Sequence, residues 1–280
     1  MERLIVDGEP NEVTEIRYKI LTEFADLTFD PVPHIYTLNG KVIPSVTTII
    51  KQFEHEFDEE TISENYAEKH GETPEYWREK WKYANLISTT TGTLVHEFGE
   101  SMGWLRNGHP ELITDSCKMK YIKDRNWLIP TRKKEEAIIK FFDELPKEFH
   151  FVLNETKVYT GKNRSITNLK QDICGTFDLL YYYKHPTDDS KSGLVIFDWK
   201  TNKELTKQFN IENGKMLLPP FDDFVEQPKS VYSLQLSAYQ LPLEDIGLKV
   251  IGRRIIWLKD DGNYEKFSTP DLTERLRKIL

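Results

Sequence analysis

The sequence predicts an α/β (α+β) domain built on a central mixed β-sheet, with a helical N-terminal half. Three observations carry this. Apolar residues recur at spacings of three and four from about residue 60 to 145. From Phe149 the period changes to two. A further helical stretch and a late strand follow, an order of elements that packs helices against a sheet.

Taken in order, HIYTLNGKVIPSVTTII (34–50) reads as a β-hairpin turning at Asn39-Gly40, a dipeptide that tolerates the positive φ angles of a tight turn. Ser45, Val46, Thr47 and Thr48 lead into a helix reaching Lys51 and Phe53. Thr89–Thr91 are expected to cap a helix starting near Gly92, with Val95, Phe98, Met102 and Leu105 on its buried face. Another helix should follow Pro130-Thr131, with Ile138, Phe141, Phe142 and Leu145 as its stripe and Pro146 as its stop. In FHFVLNETKVY, Phe149, Phe151, Leu153, Glu155 and Lys157 share one side of a strand. After a loop (161–172), ICGTFDLLYYY and LVIFDWKT are strands joined by a polar turn. VYSLQLSAYQL is a helix that Pro242 should end, and KVIGRRIIWLKD is the late strand. The long stretch between Lys200 and Gln235, with Gly214, Pro219, Pro220, Phe221, Phe224 and Pro228, reads either as a lid or strand-separating wedge or as packing against the core.

Composition narrows the function classes. With 38% hydrophobic residues, fifteen Phe, thirteen Tyr and six Trp, the chain has the material for a sizeable core, so wholesale disorder is not expected. No internal repeat or low-complexity linker divides it, and one domain over 1–280 is expected. No apolar run approaches the roughly 20 residues that cross a bilayer. The start, MERLIVDGEPNEV, lacks a signal-peptide pattern, so the expectation is a cytoplasmic protein with no membrane partner. Cys117 and Cys174 are too few for a cysteine-only zinc site or an iron–sulfur cluster and read as small buried residues. A net charge of −8 argues against a non-specific DNA coat, but not against an enzyme that holds DNA in a groove and needs carboxylates for a hard cation.

Two anomalies point to chemistry. Asp198 and Lys200 lie two apart where a buried strand breaks out into something polar, so their side chains emerge on one face. Burying such a pair is costly without a partner or a task. Asp178 interrupts the strand Phe177–Tyr183 just after Gly175, a residue that lets another group come close. If these strands are neighbours, Asp178 and Asp198 converge, and Mg²⁺ or Mn²⁺ between them relieves their repulsion. Such an ion polarises a phosphoryl oxygen and acidifies bound water, while Lys200 offsets developing negative charge. Alone, a D-x-K is usually a minor surface ion pair.

Five elements in order make the resemblance specific. GTFD (175–178) and DWK (198–200) are similar to the two core motifs of the PD-(D/E)XK nucleases, particularly the RecB-like branch. Gln235-Leu-Ser-Ala-Tyr239 matches that branch's Q-x-x-x-Y, and Gly92-Thr-Leu-Val-His96 its upstream G-x-x-x-H. IPSVTTII resembles an N-terminal element of phage-encoded members and of the mitochondrial genome maintenance exonuclease. Phe177 stands where the superfamily's name has proline, and the cysteine quartet of iron–sulfur relatives is absent. The resemblance implies a restriction-endonuclease-like core, with a hairpin and helical part over 1–145 and a catalytic sheet with the Q-x-x-x-Y helix over 146–270. It implies metal ligation by Asp178, Asp198, His96 and Glu155, a catalytic role for Lys200, and site support or DNA contact from Gln235 and Tyr239. The metal would be magnesium or manganese, with no iron–sulfur cluster.

Simpler readings stand beside these. His96 and Glu100, one turn apart, could pair on a solvated face, Lys157 could pair with Glu155, and Tyr239 could be a packing residue. Lys118, Lys120, Lys123 and Arg125, interleaved with Tyr121 and Trp127, suit single-stranded DNA, as do Arg132, Lys133 and Lys134. A solvated helix surface explains them equally. Arg253 and Arg254 cannot both face one side of a strand, so one of them, Arg254, is a candidate for the DNA groove.

The expected function is a metal-dependent DNA nuclease, an exonuclease on single-stranded or frayed ends by the same resemblance. A phage-encoded protein working in a host cytoplasm beside a recombinase, helicase or single-strand-binding partner fits it. The rivals are a structure-selective endonuclease and a nucleic-acid-binding protein that has kept the fold without cutting.

Overall fold

The computed structural model describes residues 9–31, 33–113, 131–162 and 169–280. In chain order these form α1 (Asn11–Glu23), β1 (Leu27–Asp30), β2 (Ile35–Leu38), β3 (Lys41–Ile43), α2 (Val46–Ile50), α3 (Glu59–His70), α4 (Pro74–Arg106) and α5 (Arg132–Asp143). There follow β4 (Phe149–Tyr159), β5 (Cys174–Tyr183), β6 (Gly193–Lys200), α6 (Gln208–Glu212), α7 (Pro228–Asp245), β7 (Val250–Leu258), β8 (Tyr264–Ser268) and α8 (Thr273–Ile279). The fold is mixed α/β, as expected, with a helical N-terminal half.

The main sheet runs β4-β5-β6-β7-β8 and is antiparallel except for the β6–β7 pair. Period two places Phe197 and Trp199 on one face, where Phe141 of α5 meets them at ring-centroid distances of 5.5 and 5.0 Å. Ile196, Asp198 and Lys200 face the other way. There Arg253, in register with Ile196, is hydrogen-bonded to Gln240 of α7. Helices thus cover both faces, and Ile196, Ile255, Ile256, Leu234 and Leu241 are sealed between the layers. No described helix is long and apolar enough to cross a membrane.

The N-terminal hairpin is as expected: Asn39 and Gly40 take φ of 50° and 77°, and Leu38 pairs with Lys41 across them. A further strand, β1, extends it to a three-stranded antiparallel sheet. Ser45 caps α2 by accepting the Thr48 N–H at 3.2 Å.

Two helix boundaries differ from expectation. Thr89–Thr91 do not cap a helix at Gly92, because α4 begins eighteen residues earlier at Pro74, capped by Thr73 accepting from Tyr76 N at 3.2 Å. Within it, Thr89 satisfies its hydroxyl against the preceding turn, Oγ1 donating to the Asn85 carbonyl at 2.9 Å. Its buried face is Leu94, Val95, Gly99 and Trp104, and Leu105 of the expected stripe is exposed. Nor does Pro242 end α7, which continues to Asp245. Proline there removes one hydrogen bond near the helix end, and burial of Leu234, Leu236, Leu241 and Leu243 outweighs that loss.

Of the two readings of the stretch before Gln235, packing is the one observed. Leu205, Leu217 and Phe221 are buried, Leu218 N donates to the Phe53 carbonyl at 2.7 Å, and Glu226 takes Lys215 at 2.9 Å and the His55 ring. Cys174 is buried with a free thiol; Cys117 lies outside the described residues.

Candidate metal and phosphodiester site

The site forms where β5 and β6 part. Their ladder runs from Tyr183↔Gly193 to Leu179↔Phe197, so Asp178 and Asp198 are the next pair in register, on one face. The strands do not pair conventionally there. The Trp199 N–H, sealed from water, donates to Asp178 Oδ2 at 2.7 Å, a carboxylate standing in for a ladder carbonyl. That bond fixes the Asp178 side chain and favours its charged form.

Helix α4 brings His96 to the same carboxylate, with Nδ1 3.4 Å from Asp178 Oδ2 and 3.9 Å from Glu155 Oε1. Gly99, one turn on, permits this approach: a Cβ there would lie 2.8 Å from Trp199 Nε1. His96 therefore points into the site, not at Glu100 on a solvated face. Glu155 reaches it by a departure from regular strand geometry. The β4 register shifts between Phe151 and Leu153, and Glu155 has φ 41°. The strict alternation expected of this strand is not kept. Arg17 of α1 holds the shifted segment, donating to the carbonyls of Val152 (2.8 Å) and Phe151 (2.7 Å). Lys157, the rival partner for Glu155, instead donates to the Leu27 carbonyl at 2.9 Å.

Lys200 Nζ lies 2.5 Å from Asp198 Oδ2, with the two side chains 11% and 2% exposed, and 4.3 Å from the centre of the Tyr232 ring. Asp198 Oδ2 is enclosed and lacks a hydrogen bond of regular geometry, so the ion pair is its main compensation. Gln235 Nε2 donates to the Tyr239 hydroxyl at 2.9 Å, and both line the cavity. Gly175 makes room for that ring, since a Cβ there would sit 2.5 Å from Tyr239 Cε1.

The electrostatics are those of crowded carboxylates. Burial opposes ionisation of Asp178, but His96, Lys200 and the Trp199 N–H outweigh it and lower its pKa. Burial and the neighbouring Asp178 charge raise those of Asp198 and Glu155 against the pull of Lys200 and His96. Burial would lower the His96 pKa, yet Asp178 and then Glu155 raise it. His96 and Glu155 keep 29% and 28% exposure, so water softens this pairing without reversing it.

His96, Glu155 and Asp178 each offer one ligand atom, all within 4.8 Å of one another. Two carboxylate oxygens and an imidazole nitrogen suit Mn²⁺ and, with water completing the shell, Mg²⁺. Asp198, also a sequence candidate, stands outside this trio, bound to Lys200. The cavity, about 220 Å³, is lined on one side by His96, Asp178, Asp198, Lys200, Gln235 and Tyr239. His34, Tyr36, Ser45 and Thr47 also line it, the last two from the IPSVTTII element. A larger apolar pocket of about 410 Å³ lies between α1 and β4, with Glu155 of the metal trio in its lining. The charged groups converge on the smaller one.

The nucleic-acid candidates fare differently. Arg254 is in register with Phe197 and shares its face, with its guanidinium 3.1 Å from the Arg253 carbonyl, so it points away from the cavity. Lys133 is ion-paired with Glu136 at 2.6 Å beside the Gly262 turn, and Lys134 is buried against the Leu258 carbonyl at 2.9 Å. The first turn of α5 is therefore not a free basic patch. Lys120, Lys123 and Arg125, with Lys118, Tyr121 and Trp127, lie outside the described residues. No family model and no curated protein matches the chain.

Proposed function

We propose that this chain is a metal-dependent DNA nuclease of the PD-(D/E)XK superfamily, RecB-like branch, acting as an exonuclease on single-stranded or frayed ends. The observation that carries the reading is convergence: His96, Asp178, Asp198 and Lys200, from three elements, line one small cavity, and Glu155 of β4 brings a ligand atom within 4.8 Å of those of His96 and Asp178. The first four belong to motifs that resemble that family's, and Glu155 matches a position where its members often hold an acidic residue. His96, Glu155 and Asp178 would hold Mg²⁺ or Mn²⁺, with Asp198 beside them. When bound, the ion supplies Lewis acidity to a phosphoryl oxygen and lowers the pKa of water.

The remaining work falls to the protein's own groups. Asp178, pinned by the Trp199 N–H, offers a carboxylate already oriented and desolvated. Lys200, held between Asp198 and the Tyr232 ring, places a fixed cation where negative charge grows on a phosphate under attack. Gln235 and Tyr239, hydrogen-bonded to each other, line the same cavity. The preference for ends rests on the family resemblance.

The test is digestion of end-labelled single-stranded, duplex and covalently closed circular DNA with Mg²⁺ or Mn²⁺, using wild type, Asp198→Ala and Lys200→Ala. Metal-dependent loss of linear single strands, reduced at least about a hundredfold in both folded variants, is expected. An intact circle marks an exonuclease, and a cut circle replaces it with an endonuclease. Binding without cutting in either metal overturns the enzyme reading.

A further inference from the structure

The cavity lining has two chemically unlike parts. On the first, the charged groups are already matched, Lys200 to Asp198 and His96 to Asp178. On the second, Tyr36 is hydrogen-bonded to Thr176 at 3.0 Å, and the Ser45 hydroxyl is shared between Thr47 and Thr48 at 2.8 and 2.9 Å. His34 is the exception. It is exposed at the cavity edge, and its ring contacts are edge-on to Phe29 at 5.0 Å and Tyr36 at 6.2 Å. Neither ring nitrogen has a hydrogen-bond partner among the described residues.

Its backbone is unusual too. His34 has φ 54°, a left-handed conformation that few non-glycine residues adopt and that gathers at ligand-binding positions. A DNA strand lying over the carboxylates brings one negative charge with each phosphate, so donors elsewhere in the lining are needed to hold it. Outside the paired Lys200 and His96, His34 is the lining side chain with ring nitrogens that no described residue bonds.

We infer that His34 is a phosphate-binding residue, donating a ring N–H to a phosphodiester of the strand held in the cavity. This rests on the nuclease reading and adds to it a contact from the N-terminal hairpin, outside the metal cluster. The hairpin then acts as the opposing jaw that holds the backbone against Asp178 and Lys200.

The substitutions that test this are set by the backbone. Glycine and asparagine both accept positive φ, so His34→Gly removes the side chain and His34→Asn replaces it with an amide donor, neither forcing the turn to move. Steady-state cleavage of a labelled single-stranded oligonucleotide with Mn²⁺ is measured for wild type and both variants, alongside their melting temperatures. His34→Gly is expected to raise KM about tenfold, the loss of one hydrogen bond to a charged group, with kcat within about threefold. His34→Asn should recover most of that loss. If wild type cuts and His34→Gly keeps its KM, the inference falls and the nuclease reading stands. Equal KM increases in both variants with a lowered melting temperature make His34 a structural residue, which also overturns it. If wild type cuts nothing, the nuclease reading fails and takes this one with it.

Discussion

At the residue scale, the governing fact is that three carboxylates share a site with one lysine and one histidine. His96 stays protonated longer than a free imidazole because Asp178 and Glu155 face it. A divalent cation must displace that proton, since only neutral imidazole ligates. Binding therefore releases protons, and Mn²⁺ affinity should rise with pH through the neutral range, steeply in wild type and more weakly in Glu155→Gln. Titration calorimetry in two buffers of different ionisation enthalpy reads the proton count directly; an affinity flat with pH would remove His96 from the ligand set. Gly175→Ala offers a second check, because its Cβ needs the space of the Tyr239 ring. We expect a folded protein with Mn²⁺ affinity nearly kept and DNA cleavage cut at least about tenfold, as the ring and its Gln235 bond are displaced. Unchanged cleavage would make Tyr239 a packing residue. Asp178, Asp198, Lys200 and His96 were legible in sequence because each breaks an apolar pattern at a fixed motif spacing. Tyr232 and His34 were not: Tyr232 meets Lys200 from thirty-two residues on, and His34 comes from a separate sheet.

At the element scale, regular segments were readable and irregular ones were not. The Asn39-Gly40 hairpin, the β5 and β6 strands and the α5 stripe follow from period and turn chemistry alone. The length of α4 escaped because its first half is exposed over most of its surface, its apolar contact being the Trp77 and Trp81 rings against Tyr66 of α3. The shift in β4 escaped because its cause, Arg17, lies more than a hundred residues away. Arg17 is 1% exposed, pairs with Glu9 at 2.7 Å and holds two strand carbonyls, so Arg17→Met removes the donor of both carbonyls and the cation beside Glu9, which keeps the Thr14 hydroxyl. The expected cost is about 3 kcal/mol, measured by urea denaturation. Because the shift aims Glu155, the folded fraction of the variant should also bind Mn²⁺ more weakly. A variant that loses stability but keeps full metal affinity would show that β4 holds its irregular register without Arg17.

At the scale of the whole molecule, the sheet separates two kinds of work. One face, against α4 and α5, is aromatic and dry around Phe141, Phe197 and Trp199. The other lets Asp198 and Lys200 emerge, while α4 reaches over the sheet to deliver His96. The site thus joins α4, β4, β5 and β6, and charge repulsion within it opposes folding when no cation is present. Anything that binds this folded arrangement and not the unfolded chain must stabilise the whole domain. At a hundredfold excess over its Kd, Mn²⁺ should contribute about 2.7 kcal/mol. For a chain of this size that raises Tm by roughly 5–10 °C over the value in EDTA. Asp178→Asn is the informative control, because its amide oxygen can still accept the Trp199 N–H while the ligand charge is gone. Its Tm in EDTA should fall below that of wild type, since His96, Lys200 and the Trp199 N–H favour the charged carboxylate in the folded state, and Mn²⁺ should scarcely move it. Scanning calorimetry of both proteins, with and without the ion, decides the matter. A wild-type Tm indifferent to Mn²⁺, or a shift of equal size in Asp178→Asn, would mean that the cluster does not hold the metal.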